Sequence, residues 1–178
     1  MERYPIICLS SIDWDFLWQG HQEIMSNFAQ QGHQVLFVEN TGVRRPSLRD
    51  LPRIRRRLRN WSQGVNGIRQ VQPNLFVYSP LVLPFPYAWG ARVVNRQVLA
   101  STIRRWLSVL GTRDAILWTF LPTALTLDLI RTIRPRVSVY YCIDSFEDSS
   151  SQARKILRTE PEVIRQADLV FATSRRLK

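Results

Sequence analysis

Just past the apolar run PIICLSSI stand Asp13, Trp14, Asp15, Trp18 and His21. Carboxylates and a neutral imidazole can take a proton from a hydroxyl or return one to a leaving group. Indole rings offer flat apolar faces with a polar edge. Later apolar runs are followed by similar residues. HQVLFV leads into Glu39 and Asn40, AILW into Thr119, Phe120 and Pro122, and VSVYYCI into Asp144, Ser145, Glu147 and Asp148. An aspartate after a strand also serves as a turn or helix cap. A tryptophan is more often core than ligand platform. The joint placement, rather than any single residue, points to a cleft.

The elements that would position these residues follow from the apolar pattern. PIICLSSI, HQVLFVEN, AILWTFLP, VSVYYCID and DLVFATS read as strands, PIICLSSI buried and HQVLFVEN covered on both faces. GIRQVQPNLFVYSPLVLP reads as two short strands joined through Pro73-Asn74. HQEIMSNFAQQG has helical spacing through Ile24, Met25 and Phe28 and closes at Gly32. A long helix is predicted from about Tyr87 to Leu110, stopping at Gly111, and further helices over TALTLDLIRTIRP and EPEVIRQA. Alternating strands and helices specify an α/β fold: an open, mainly parallel, Rossmann-like sheet with helices on both faces. We expect one domain over residues 1–178. In such sheets ligands sit at the carboxyl ends of the strands, where the acids, aromatics and His21 fall. The last residues, SRRLK, stand where a helix should begin, which reads as an interruption of a longer chain.

Several chemistries are excluded by motif. The chain has no GxGxxG, no GxxxxGK[ST], no GxSxG and no HExxH. His33, the only other histidine, opens a strand away from the carboxyl rim and is expected at the surface. Cys8 and Cys142 lie inside apolar runs, have no metal-ligand spacing and read as buried thiols. No metal site or bound cofactor is expected. No run approaches the roughly 20 apolar residues that cross a bilayer, and no secretory signal opens the chain.

Taken in order, QGHQEIMSNFAQQGHQVLFVEN, NLFVYSPLVLPFP, ILWTFLPTA, VYYCIDSFED and EPEVIRQADLVFATS resemble the N-terminal half of a two-domain GT-B glycosyltransferase. The similar group is the family 4-like and glucuronosyltransferase-like enzymes of bacterial cell-surface polysaccharide synthesis. The resemblance implies a nucleotide-sugar donor, held mainly by a C-terminal domain beyond this chain, and a lipid-linked or polysaccharide acceptor held by this half. It implies no metal and no separate cofactor. Asp144 matches the aspartate of a YDCVDD-type motif and is the first candidate for the base of an inverting transfer, with Asp15 second. Asp13, Trp14, His21, Glu39, Trp118, Thr119 and Glu147 are the expected lining of the cleft. Trp14, Trp18 and Trp118 are candidates to stack on sugar faces. The chain departs from the group at its first turn, where SIDWDFLWQG replaces a Gly-Gly phosphate turn.

LRDLPRIRRRLRNW lies between the second strand and the strand pair. Arg44 to Arg59 hold eight arginines and one acid, a net +7 of the chain's +11. Read as a helix, Leu48, Leu51, Ile54, Leu58 and Trp61 form one apolar stripe, with Arg53, Arg56 and Arg57 outside it. Such a helix suits an anionic membrane surface, and with a lipid-linked acceptor it implies a cytoplasmic protein held peripherally at the inner face of the cell membrane. Two other readings stay open: a solvated helix packed on its own domain, and a nucleic-acid surface. Nucleic acid is disfavoured because the apolar stripe has no use there and no nucleic-acid motif is present. A non-catalytic scaffold is a further alternative.

Overall fold

The computed structural model of the chain describes residues 3–41, 67–83, 88–143 and 154–174. Seven strands form one sheet: β1 (Ile6–Leu9), β2 (Val35–Val38), β3 (Ile68–Gln72), β4 (Leu75–Tyr78), β5 (Ile116–Thr119), β6 (Val137–Cys142) and β7 (Leu169–Ala172), in the order β3-β4-β2-β1-β5-β6-β7. All neighbours are parallel except β3, which pairs antiparallel with β4 through the turn at Pro73-Asn74. Asn74 takes the left-handed conformation that this turn needs, with φ at 63°. The parallel strands therefore grow outward from β1, first through β2 and β4, then back across to β5, β6 and β7. The reversal opens a crevice between β1 and β5, at their carboxyl ends.

Helices cover both faces because successive strand residues point to opposite sides. On one face α1 (Gly20–Gln30) lays Met25 and Ala29 over Ile6, Cys8, Val35 and Phe37. On the other, α2 (Trp89–Val109) and α3 (Ala124–Ile133) lay Leu99, Ile103 and Leu129 over Ile7, Leu36 and Leu117. Every residue of β1 and β2 is buried, which explains why these segments read as continuous apolar runs. Two short helices follow, α4 (Arg154–Leu157) and α5 (Glu160–Gln166). Val163 of α5 packs with Leu127 and Tyr140 on the α3 side. The two edge strands are less covered: β3 is only partly buried, and in β7 Leu169 and Phe171 are about half exposed.

Specific bonds fix the helices. Arg92 grips Asp128 with Nε and an Nη at 2.5 and 2.7 Å, joining the first turn of α2 to α3. The carboxylate raises the guanidinium's basicity further. Asn95, buried in α2, accepts from the Leu83 N–H at 2.7 Å and donates to its carbonyl at 3.1 Å, so the strand-like segment after β4 is held to the helix. Gly32 ends α1 with φ at 89°; a Cβ there would lie 2.9 Å from the Arg3 guanidinium. At the amino end of β6, Asp168 accepts from both the N–H and the hydroxyl of Ser138, each at 2.7 Å. Those bonds hold its carboxyl below the usual range. Tyr140 donates to Glu160 at 2.5 Å, and burial pushes its phenol up.

The α/β class, the parallel sheet and the two helical layers agree with the sequence reading. α2 covers most of the predicted Tyr87 to Leu110 span. The first strand is shorter than its apolar run: β1 stops at Leu9, and Ser10 to Ile12 belong to the connection that follows. Among the described residues, no helix is long and apolar enough to cross a membrane. Cys8 and Cys142 are both buried, and burial pushes the Cys8 thiol up, which keeps it protonated and inert.

Candidate functional site

The site is built on the connection from β1 to α1, which runs along the carboxyl ends of β1 and β2. Register places Leu9 beside Val38 on one side and Thr119 on the other. Beyond Leu9 the chain stays beside β2 for one more residue, since the Ser10 N–H donates to the Val38 carbonyl at 3.0 Å. It then turns over the rim. Ser10 Oγ accepts from the Ile12 N–H at 3.1 Å, and Asn40 Nδ2 donates to the Ser11 carbonyl at 2.6 Å.

Glu39 holds this connection from below. Its side chain is buried, with Oε1 accepting from the Trp14 N–H at 2.9 Å and Oε2 from Ser79 Oγ at 2.6 Å. A buried carboxylate is tolerated because charged hydrogen bonds replace its water. Glu39 thus ties together three segments: the β1–α1 connection, the end of β2 and the residue after β4. Gln22, fully buried in α1, braces the other side, donating to the carbonyls of Trp14 and Leu17 and accepting from the Gln19 N–H.

Asp13 is buried in this connection, whereas Asp15 is partly exposed and ion-paired with Arg69 of β3 at 2.8 Å. Trp14 stands edge-on to Phe37 and to Trp18. Trp18 is 57% exposed, yet its indole N–H is fixed on Glu23 at 2.7 Å. His21 lies in the first turn of α1 and is only 4% exposed. Its Nε2 is 2.7 Å from Ser11 Oγ, and its ring packs against Phe120 with centroids 4.0 Å apart. His33, at the other end of α1, packs against Phe28 and bonds the Tyr4 carbonyl through Nδ1.

Across the crevice, the β5–α3 connection is held by its own hydroxyls. Thr119 Oγ1 accepts from the Leu121 N–H and donates to the Leu121 carbonyl. Thr123 caps α3 by accepting from the Thr126 N–H at 3.3 Å. Between the two connections is a cavity of about 10 Å³, lined by Ser10, Glu39, Thr123 and Thr126 among others. That is space on the order of one water. A roomier groove of about 650 Å³ lies at the other end of the sheet, beside Leu107, Ser108 and Ile133. It lies by the carboxyl ends of α2 and α3, and none of the rim acids nor His21 lines it.

Of the residues named from sequence, Asp13, Trp14, Asp15 and His21 lie on the β1–α1 connection or the first turn of α1, Glu39 just after β2 and Thr119 at the end of β5. Two of them are occupied in ways the pattern did not show. Glu39 is a brace, and the Thr119 hydroxyl is taken by its own connection. Trp118 is not on the rim. It packs in the core beneath α1, stacked on Tyr141 and Phe171 with centroids 5.7 and 5.8 Å apart. Its place in mid-register on β5 turns it toward the α1 face, so it cannot stack on a sugar in the crevice. Asp144, Glu147, Arg53, Arg56, Arg57 and Trp61 lie outside the described residues. Sequence reasoning missed Ser11, counted as strand, and Gln22 and Arg69; the Gln19-x-x-Gln22 spacing at a helix start was a usable signal for the second.

The chain matches no protein-family profile and no curated protein. Among the described residues no cluster of His, Cys, Asp and Glu could hold a metal ion.

Proposed function

We propose that this chain is the acceptor-side part of a nucleotide-sugar-dependent glycosyltransferase, acting on a membrane-associated or polysaccharide acceptor. The observation that carries the reading is the crevice between β1 and β5, where the strand order reverses. One rim of it gathers Asp13, His21 and Glu39. The resemblance in sequence to the N-terminal half of GT-B enzymes supplies the reaction class. Fold alone does not, because doubly wound sheets host many chemistries.

On this reading the chain's residues orient the acceptor. The hydroxyl must be held near the anomeric carbon, and its proton must leave as the new bond forms. The candidate bases from sequence are Asp144 and Asp15. The ion pair with Arg69 weakens the case for Asp15, since it occupies one of the carboxylate oxygens. The donor is gripped mainly by a second α/β domain. The arginine-rich segment from Arg44 to Arg59, with Arg53, Arg56, Arg57 and Trp61, meets an anionic membrane that carries the acceptor.

The test is transfer by the product of the whole gene. A panel of UDP-, GDP- and TDP-sugars is offered with a polyprenyl-pyrophosphate-linked monosaccharide. Transfer from at least one donor to that acceptor is the expected result. Failure to transfer from any donor rejects the reading. Membrane attachment is checked separately by sedimentation with anionic vesicles, which the triple change of Arg53, Arg56 and Arg57 to Glu should abolish.

A further inference from the structure

We propose that Ser11 and His21 form a proton relay that deprotonates the acceptor hydroxyl, an inference that rests on the sugar-transfer reading above. It assigns the proton to this pair rather than to Asp144. His21 is too enclosed to meet an acceptor itself, being 4% exposed beneath the β1–α1 connection. Ser11 is half-buried at the carboxyl end of β1, and its Oγ stands 2.7 Å from His21 Nε2. That separation is within the reach a base needs for a hydroxyl proton. The serine thus extends the reach of the imidazole to the rim.

The pair is held from three sides. Asn40 donates to the Ser11 carbonyl at 2.6 Å and, through its backbone, to the Ile12 carbonyl at 3.3 Å, so β2 fixes the serine backbone. α1 carries His21 in its first turn, and Gln22 beside it anchors that turn to Trp14 and Leu17. Phe120, at the end of β5, packs on the imidazole ring. Among the described residues, the acids carried by the β1–α1 connection, the end of β2 and α1 are Asp13, Asp15, Glu39 and Glu23. Asp15 is committed to Arg69, Glu23 to Trp18 and Asn27, and Glu39 to Trp14 and Ser79. β5 contributes no titratable group beside the ring.

With the ring proton on Nδ1, Nε2 accepts from the Ser11 hydroxyl. In the transfer step the acceptor hydroxyl gives its proton to Ser11 Oγ as the Ser11 proton passes to Nε2. The acceptor oxygen bonds to the anomeric carbon. The bond from that carbon to the nucleotide's terminal phosphate oxygen breaks, and its electron pair leaves on the phosphate. Serine ends neutral, the imidazolium carries the proton until solvent takes it, and the sugar is inverted. Ser11 touches the acceptor; His21 acts through it.

Two measurements test the relay. In the whole gene product, Ser11→Ala and His21→Gln should each lower kcat about 100-fold or more, with donor KM unchanged. The double variant should fall no further than either single one, because the pair acts as a unit. Ser11→Thr should restore most of the rate, and Ser11→Ala should lose the acid limb of the pH profile. A merely structural serine would not move that limb. In the 178-residue chain, His33→Gln leaves one histidine, so its nitrogen resonances report His21 alone. Nε2 should be unprotonated at neutral pH and should shift in Ser11→Ala. A proton on Nε2, or an unchanged rate and pH profile in Ser11→Ala beside an active parent, overturns the relay and leaves sugar transfer standing. A parent that transfers from no donor removes both.

Discussion

The two connections that flank the crevice are built on opposite plans. The β1–α1 connection is long and depends on partners distant in sequence. Glu39 reaches Trp14 across 25 residues, Asn40 reaches Ser11 across 29, and Arg69 reaches Asp15 across 54. The β5–α3 connection is short and depends on itself: Thr119, Thr123 and Thr126 bond within five residues. The second forms once its own few residues adopt their turn. The first forms only after β1, β2, β3 and β4 are in register, so its acids, Ser11 and His21 are positioned by the whole half-sheet. Such long-range fixation holds the rim residues in one geometry.

The sharpest way to break this contrast is Glu39→Ala. It leaves the Trp14 N–H and the Ser79 hydroxyl without their acceptor, and hydrogen bonds to a charged group contribute about 1.5–3 kcal/mol each. A loss of at least about 3 kcal/mol in urea unfolding is expected, together with a looser β1–α1 connection seen as faster amide exchange from Ser10 to Gln19. A loss below about 1 kcal/mol would show that the brace is dispensable. Thr123→Ala probes the other plan. It removes one helix cap and should cost about 1 kcal/mol, with exchange changing only in the first turn of α3.

A distant control is Asp168, another long-range pin but at the amino end of the sheet. Its carboxyl is held below the usual range by Ser138. The folded pKa therefore lies below the unfolded one, which is about 3.9. The contribution is complete above the unfolded value and disappears as pH falls through the folded value. Asp168→Asn should flatten the loss of stability in that acid window and leave the crevice unaltered. An equally steep acid limb in the variant would place the linkage elsewhere. The smallest effect belongs to Arg69→Ala. The pair with Asp15 is partly exposed, and pairs near the surface contribute about 0–1 kcal/mol, so the change should stay below about 1 kcal/mol and should shrink further in salt.

Much of the fold was legible because its signals are local or periodic. Continuous apolar runs marked β1 and β2 as buried strands, Gly32 and Gly111 marked helix ends, and Pro73-Asn74 marked the hairpin. The site was legible in outline for the same reason: residues after parallel strands gather at one rim. Its internal roles were not. The burial of Trp118 depends on which face of β5 it points to, and that parity was hidden in a short apolar run. Ser11 was lost because the run PIICLSSI does not show that the sheet ends at Leu9.

What the sequence determined by itself was the alternation of strand and helix, the parallel sheet, and the set of polar residues delivered to its carboxyl end. These follow from hydrophobic period and turn chemistry, which act over a few residues. Tertiary structure alone decided that Glu39 is a brace, that Asp15 meets Arg69, and that Ser11 meets His21. Each of those outcomes joins groups from separate elements, and their energy depends on distances of about 3 Å that no local pattern encodes.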